Sequence, residues 1–144
     1  MPPAARQIAT MSLMSDPRLA FITLAHGSPD PEWKRTIERV ARRASQALGG
    51  ARVEPAFLKD CAPDLETTAA LLAAEGRREI VVAPLFLGAG AHAAKDFPRL
   101  EAKLQRRFPG VVFRWTPAFG QWEEAVDALA TALAARFTAL GGGR

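Results

Sequence analysis

The sequence is poor in the residues that build disulfide frameworks and cysteine metal cages. Its 144 residues include one cysteine, Cys61, and two histidines, His26 and His92. A single cysteine excludes both an intramolecular disulfide and a zinc site made of cysteines, which favours a reducing compartment. We therefore predict a cytoplasmic protein, and any imidazole chemistry in it depends on these two histidines.

The chain also lacks a long hydrophobic run. No stretch reaches the roughly 18 consecutive apolar residues of a membrane-spanning helix, and residues 1–17 contain no apolar segment of secretory length. We therefore expect no association with a membrane. Residues 1–17 and 141–144 show no periodicity, which predicts a flexible leader, one domain over residues 18–140 and a flexible tail.

Acidic residues are fewer than basic residues in this sequence. Lys and Arg together number 19 against 15 Asp and Glu, giving a formal net charge of +4. This balance favours anionic partners without choosing among nucleic acid, phosphate and carboxylate ligands. The cations lack interleaved aromatic residues and the spacing of a known nucleic-acid motif, so we predict that nucleic acid is not a partner.

Apolar runs and amphipathic stretches alternate along the chain. Leu19–Ala25 is a continuous apolar run, typical of a strand that is buried on both faces. The amphipathic stretch after it repeats apolar residues at three- and four-residue spacing, which predicts a helix over residues 31–48. Further strands are predicted at 53–58, 80–83 and 111–115, and further helices at 64–75, 96–108 and 121–140. Asp96 is the expected cap of the third helix, and Pro84 indicates that pairing of the third strand fails there.

Four strand–helix units in series predict a single-domain, three-layer α/β/α fold with a four-stranded parallel sheet in the order 2-1-3-4. Helices are expected on both faces of this sheet, and Phe57, Phe113 and Phe137 have the spacing of core residues. Ligands bind outside the carboxyl ends of the strands where the strand order reverses. Because His26 follows the first strand and His92 follows the third, both are expected at that point.

A pair of imidazoles at such a crevice is suited to two kinds of chemistry. Neutral imidazole binds Fe, Co, Ni, Cu and Zn, and its pKa of about 6.5 lets it move protons at neutral pH. Two protein ligands leave coordination positions open, which favours transient delivery over a structural metal site. Gly27 and Ser28 supply a tight turn with backbone N–H groups at a helix start, where an anionic group would be stabilised. Ala25 stands where a phosphohistidine phosphatase has an arginine, which disfavours that class.

Four short motifs together resemble the short CbiX/SirB type of sirohydrochlorin chelatase. They are Ala25-His26-Gly27-Ser28, Ala56-Phe57-Leu58, Val82-Ala83-Pro84-Leu85-Phe86-Leu87 leading to Gly90-Ala91-His92, and Lys95-Asp96-Phe97-Pro98. The resemblance spans about residues 19 to 136. It implies a chelatase-like fold, a homodimer, and a lyase that inserts Co²⁺ or Fe²⁺ into sirohydrochlorin for cobalamin or siroheme biosynthesis. The metal is then a substrate, with Ni²⁺ a further candidate in vitro, and no organic cofactor is expected.

The resemblance also implies roles for residues. His26 and His92 are the expected metal-binding and catalytic pair. The expected contacts to the carboxylate-rich tetrapyrrole are Gly27, Ser28, Lys59, Phe86, Gly90 and Lys95. Lys59 stands where many such chelatases have an acidic residue, which leaves open whether a carboxylate completes the metal site. The alternative function is a non-catalytic binder or metallochaperone that uses the same two histidines.

Overall fold

The computed structural model describes residues 16–88, 90 and 95–142 of the chain. Its elements are β1 (Leu19–Ala25), α1 (Pro31–Ala47), β2 (Val53–Phe57), α2 (Leu65–Ala74), β3 (Glu79–Pro84), α3 (Phe97–Arg107), β4 (Val112–Trp115), a 3₁₀ turn (Phe119–Gln121) and α4 (Glu123–Gly141). The alternation of strands and helices is as predicted. Most of the predicted leader and part of the tail lie outside the described residues, so the domain boundaries at 18 and 140 stay predictions.

The four strands form one parallel sheet in the order β2-β1-β3-β4, which confirms the predicted fold class. β1 is therefore central, and Leu24 near its end lies opposite both Ala56 and Pro84. The prediction that strand pairing fails at Pro84 is wrong. Proline has no N–H, but the next residue continues the ladder, because the Leu85 N–H donates to the Leu24 carbonyl at 2.7 Å.

One face of the sheet carries the main core. Side chains alternate between the faces of a strand, so every second residue of β1 and β3 points toward α2 and α3. The buried side chains of this core include Ala20, Ile22, Leu24, Leu65, Ala69, Leu72, Ile80, Val82, Leu104 and Phe113. Complete burial of one Leu or Ile side chain stabilises the fold by about 1.5–3 kcal/mol. This core fixes the carboxyl ends of β1 and β3 relative to each other.

The helix starts are defined by side-chain caps in two cases. The Asp30 carboxylate accepts from the Glu32 N–H at 2.9 Å at the start of α1, and Asp64 accepts from the Thr67 N–H at 2.7 Å at the start of α2. Asp96 occupies the predicted N-cap position of α3, but it does not cap the helix through its side chain. Asp96 already has helical dihedrals, φ −80° and ψ −40°, and its side chain makes no capping hydrogen bond, because a cap residue needs an extended backbone to reach the following N–H groups.

The opposite face of the sheet presents Phe21, Thr23, Val81 and Ala83, and α1 covers its β2 side. Phe57 and Phe113 are buried as predicted, but the prediction for Phe137 is wrong: its side chain on α4 is 65% exposed. The apolar spacing of α4 identifies a stripe along the helix but not the surface that covers the stripe. In the part of the chain that the structure describes, no helix is both long and apolar enough to cross a membrane.

Candidate active site

His26 is held at the carboxyl end of the central strand. The ladder between β1 and β2 continues past both strands: the Leu58 N–H donates to the Ala25 carbonyl at 3.0 Å, and the Lys59 N–H donates to the His26 carbonyl at 3.1 Å. The backbone of His26 is thereby fixed to the loop after β2. Its half-buried imidazole is therefore presented from the sheet rather than from a surface loop.

A cavity of about 290 Å³ opens beside this imidazole. It is lined by His26, Leu58, Lys59, Asp96, Arg99 and Leu100. Two cations, one carboxylate and one imidazole therefore surround a wall that is otherwise made of leucine. Such a mixture of apolar surface and a few polar groups is typical of small-molecule sites, and the cations favour an anionic ligand.

The turn after His26 is built for close approach of two backbones. Gly27 has a φ of +107°, and a Cβ at this position would lie 1.7 Å from the carbonyl oxygen of Lys59. Only glycine fits there. The Ser28 hydroxyl oxygen accepts from the Asp30 N–H at 3.1 Å, so its visible contact shapes the turn into α1. Gly27 and Ser28 therefore shape the turn that follows His26, and their predicted contact with the ligand stays a prediction.

Phe86 links the imidazole to the core. Its ring contacts His26 edge to face, with centroids 6.3 Å apart and an interplanar angle of 82°. The ring centroid of Phe86 also lies 5.6 Å from that of Phe97, and the ring centroid of Phe97 lies 5.4 Å from that of Trp115. The Phe86 carbonyl also accepts from the Gly120 N–H at 2.8 Å. A row of packed aromatic rings therefore runs from the end of β1 to the end of β4 and supports His26.

Two further predicted site residues, Gly90 and Lys95, do not line this cavity. Gly90 has a φ of +49° and is exposed, Lys95 is exposed just before α3, and neither lines the cavity beside His26. His92 lies outside the described residues, so its convergence with His26 stays a prediction. Of the predicted contacts, Lys59 lines the cavity and Phe86 supports the imidazole.

Two residues of the cavity wall, Asp96 and Arg99, were missed by the sequence prediction. They are three positions apart at the start of α3, and residues with this spacing lie on the same face of a helix. This three-residue spacing just after the loop that follows β3 could have indicated that both side chains face the end of the sheet. Asp60, the residue after Lys59, is exposed and does not line this cavity. Asp96 is therefore the carboxylate that accompanies His26 in the described site.

The described donor set is open rather than enclosing. Within residues 16–88, 90 and 95–142, no three His, Cys, Asp or Glu side chains form a group able to hold a metal. One imidazole and one carboxylate line the cavity, and both ligand types suit first-row divalent ions. His26 and Asp96 are therefore the described side chains of this cavity wall that could contact such an ion.

Comparison with known proteins adds the family context. The CbiX family model matches residues 20–136. The chloroplastic sirohydrochlorin ferrochelatase of Arabidopsis thaliana is 28% identical over 107 residues, covering 74% of this chain and 48% of that protein. A sirohydrochlorin cobaltochelatase from Methanopyrus kandleri is 29% identical over 82 residues, covering 57% of this chain and 57% of that protein.

Two solved structures share the fold. A crystal structure of a CbiX protein from Marinobacter aquaeolei VT8 has a TM-score of 0.73 and 28% identity, covering 83% of this chain and 97% of that one. The sirohydrochlorin chelatase SirB from Bacillus subtilis subspecies spizizenii, in complex with cobalt, has a TM-score of 0.66 and 26% identity, covering 81% of this chain and 50% of that one. The chain spans about half the length of the curated relatives it matches.

Proposed function

Because the chain belongs to the CbiX family, we propose that it is a metal chelatase, a lyase that inserts Co²⁺ or Fe²⁺ into sirohydrochlorin. The relatives named as ferrochelatase and cobaltochelatase support this substrate and leave both metals as candidates. Cobalamin and siroheme biosynthesis are the corresponding routes. The observation that carries the proposal is the cavity beside His26, where an imidazole, a carboxylate and two cations surround an apolar wall.

The reaction asks for three things from the protein. The metal ion must be held by ligands that exchange, two pyrrole N–H protons must leave as two metal–nitrogen bonds form, and the macrocycle must be oriented. Unprotonated His26 supplies an exchangeable ligand or a proton acceptor, and we assign the same pair of roles to His92. Asp96 on the cavity wall supplies a second ligand of the oxygen type.

Substrate capture is assigned to the cations of the site. Sirohydrochlorin is a polycarboxylate, and two cations line the cavity beside His26: Lys59 in the loop after β2 and Arg99 on α3. Two cations on separate elements can bind carboxylates at separate points of the rim, which orients a flat ligand as well as attracting it. Lys95, Gly90 and the Gly27-Ser28 turn remain proposed contacts at the periphery.

We also propose that two copies of the chain work together. The chain aligns with 50% of the cobalt-bound chelatase chain and 48% of the plant enzyme. A second copy would supply the equivalent of the other half. Cytoplasmic location, and the absence of nucleic-acid and membrane partners, are proposed on the composition alone.

The test separates an enzyme from a binder. Purified protein is mixed with excess sirohydrochlorin and Co²⁺ or Fe²⁺, and the absorbance of the metallated product is followed against a metal-only background. An enzyme raises the initial rate in proportion to its concentration and completes many turnovers. A spectral shift that stops at one equivalent of protein would instead establish the alternative, a non-catalytic binder or metallochaperone.

A further inference from the structure

A second cavity lies between the start of α3 and the segment that follows β4. Its volume is about 270 Å³, and among the described residues it shares no lining residue with the cavity of His26. We call it the β4 cavity. The lining residues that matter below are Phe97, Pro98, Glu101, Trp115, Pro117 and Gln121. Cavities that bind drug-sized ligands start at about 300 Å³, so the β4 cavity suits a small molecule.

Glu101 gives the β4 cavity its charge. It is the one charged residue among the described residues of the lining, although the chain as a whole carries a net charge of +4. Its side chain is half-buried and makes no ion pair with any described residue. By contrast, Glu66, Glu75 and Glu79 each pair with an arginine. Because a carboxylate that is partly removed from water is stabilised by a counter-charge, the cavity favours a cationic ligand.

Two aromatic rings lie in the same lining. The centroids of Phe97 and Trp115 are 5.4 Å apart, and their planes meet at 37°. Trp115 is half-buried and presents more of its ring than Phe97, which is 8% exposed. The face of an aromatic ring attracts a cation within about 6 Å of its centroid, most strongly when the ring is that of tryptophan. Aromatic surface beside a carboxylate is suited to an organic cation.

A metal ion fits this lining less well than an organic cation does. Ions that prefer oxygen ligands take about six of them, and Glu101 is the one carboxylate of the described lining. Across residues 16–88, 90 and 95–142, no three His, Cys, Asp or Glu side chains come together as a metal-binding group. An organic ammonium ion needs no such set of ligands, because its charge is balanced by one carboxylate and its carbon atoms pack on apolar surface.

The wall formed by the segment after β4 is held in place by the chain itself. The Thr116 N–H donates to the Val82 carbonyl at 3.0 Å, which extends the pairing of β3 with β4 by one residue. The Trp122 indole N–H donates to the Pro117 carbonyl at 2.8 Å. These contacts organise the wall in advance, so that a ligand loses less free energy in ordering it.

We propose that the β4 cavity binds a small organic ammonium ion, with the charged head beside Glu101 and the apolar body against Phe97 and Trp115. A carboxylate or phosphate is disfavoured, because the described lining contains no lysine or arginine to balance it. A neutral apolar molecule leaves Glu101 without a counter-charge. The site is separate from His26, and the proposal does not depend on chelatase activity.

The first experiment tests the chemical class of the ligand, with choline as the ammonium probe. Its neutral counterpart is the alcohol in which a tert-butyl group replaces the trimethylammonium group. Each compound is titrated into the full chain. Choline should bind saturably, with a Kd on the order of 1 mM, and the neutral alcohol should bind about 10-fold more weakly. Equal affinities would mean that the cavity recognises only apolar shape. That result, or an absence of saturable choline binding, would overturn the proposal.

The second experiment locates the bound cation by NMR of the indole N–H groups. The Trp115 indole nitrogen is buried and has no hydrogen-bond partner in the part of the chain that the structure describes. Its resonance, assigned by its loss in Trp115→Phe, should shift with the same saturation curve as binding. The Trp33 indole on α1 lies outside the lining and should stay unmoved. A Trp115 resonance that does not respond to saturating choline would contradict this location.

The third experiment removes the charge of the site and keeps its shape. Glu101→Gln should weaken choline binding by about 5-fold or more, since it removes one ion pair, and should leave the affinity for the neutral alcohol unchanged. Glu38→Gln is the matched control, because Glu38 is also half-buried but lies on α1, outside the lining. Equal choline affinities for the parent and Glu101→Gln, or an equal loss in Glu38→Gln, would overturn the role of Glu101 and the proposal with it.

Discussion

The imidazole of His26 meets the ring of Phe86 edge to face, with 6.3 Å between centroids and 82° between the ring planes. The two residues follow β1 and β3, the neighbouring strands at which the strand order reverses. The contact therefore joins the candidate catalytic group to the aromatic row of Phe97 and Trp115. Packing in the domain, rather than loop conformation alone, orients the imidazole.

Phe86→Leu should reduce the metallation rate without abolishing it. Leucine keeps much of the apolar volume but loses the ring edge that faces His26, and loss of a group that orients a ligand typically costs roughly 10-fold or more. Steady-state kinetics should show the loss in kcat rather than in KM. Phe108→Leu is the control, because Phe108 is also half-buried and packs on Phe113 outside the cavity. An equal loss of kcat in both variants would mean that Phe86 acts only through stability.

Arg99→Ala should weaken substrate capture. Arg99 lines the cavity of His26 and is exposed, so its pairing with a substrate carboxylate is worth about 1 kcal/mol, or a rise in KM of roughly 5-fold. The effect should shrink as salt is added, because exposed charges are screened. Arg106→Ala, an exposed arginine on the same helix beyond the cavity, should leave KM unchanged. Equal KM values for Arg99→Ala and the parent at low salt would remove Arg99 from the site.

Gly27→Ala should destabilise the fold far more than Gly76→Ala. Both glycines have a positive φ, +107° and +93°, but a Cβ at Gly27 collides with the Lys59 carbonyl whereas a Cβ at Gly76 meets nothing within 4 Å. Gly76→Ala should cost about 1–2 kcal/mol from backbone conformation alone, and Gly27→Ala about 3 kcal/mol or more. Urea unfolding measures both free energies of unfolding. Similar losses of unfolding free energy in the two variants would mean that the loop after β2 shifts to accommodate the Cβ at little energetic cost.

Asp64 should contribute stability that depends on pH. Hydrogen bonds from the Thr67 side chain and then its backbone N–H hold the pKa of Asp64 below its ordinary value of about 3.9. Because the folded-state pKa is depressed, the contribution is fully present above about pH 4 and is lost as the pH falls through the lowered value. Asp64→Ala should cost about 1 kcal/mol at pH 7.

The difference in the free energy of unfolding between Asp64→Ala and the parent, measured by urea unfolding, should become smaller at acid pH. Asp64→Asn keeps an oxygen acceptor for the cap but does not titrate, so its unfolding free energy should lose this part of the pH dependence. A constant difference between the parent and Asp64→Ala from pH 7 to the acid limb would contradict the assignment.

The strand order was predictable because its determinants are local. The continuous apolar run of Leu19–Ala25 indicates a strand buried on both faces, and each later strand is separated from the next by one amphipathic helix. Right-handed crossovers then leave few arrangements. The position of His26 follows directly, since it is the first residue after β1. Pro84 misled the prediction because a missing N–H was equated with the end of pairing.

The cavity wall was harder to predict because it depends on docking between elements. Arg99 is one of many exposed arginines in the sequence, and only the placement of α3 beside Leu58 brings it to His26. Asp96 was predicted as a cap from its residue type and position. The residue type does not show that its backbone is already helical, and so it does not show that the capping hydrogen bond is missing. Phe137 was assigned to the core because its spacing identifies an apolar stripe on α4. Spacing does not show whether the rest of the domain covers that stripe.

The central claim is that His26 acts in metal insertion, and the most direct test is the initial rate of sirohydrochlorin metallation by His26→Ala. With Co²⁺ or Fe²⁺ and substrate in excess, the parent chain should exceed the metal-only background. Loss of an imidazole that binds the metal or accepts a proton should lower the catalysed rate by at least about 100-fold, with unfolding by urea unchanged within error. A folded His26→Ala variant that metallates sirohydrochlorin at the parent rate would contradict the proposed site.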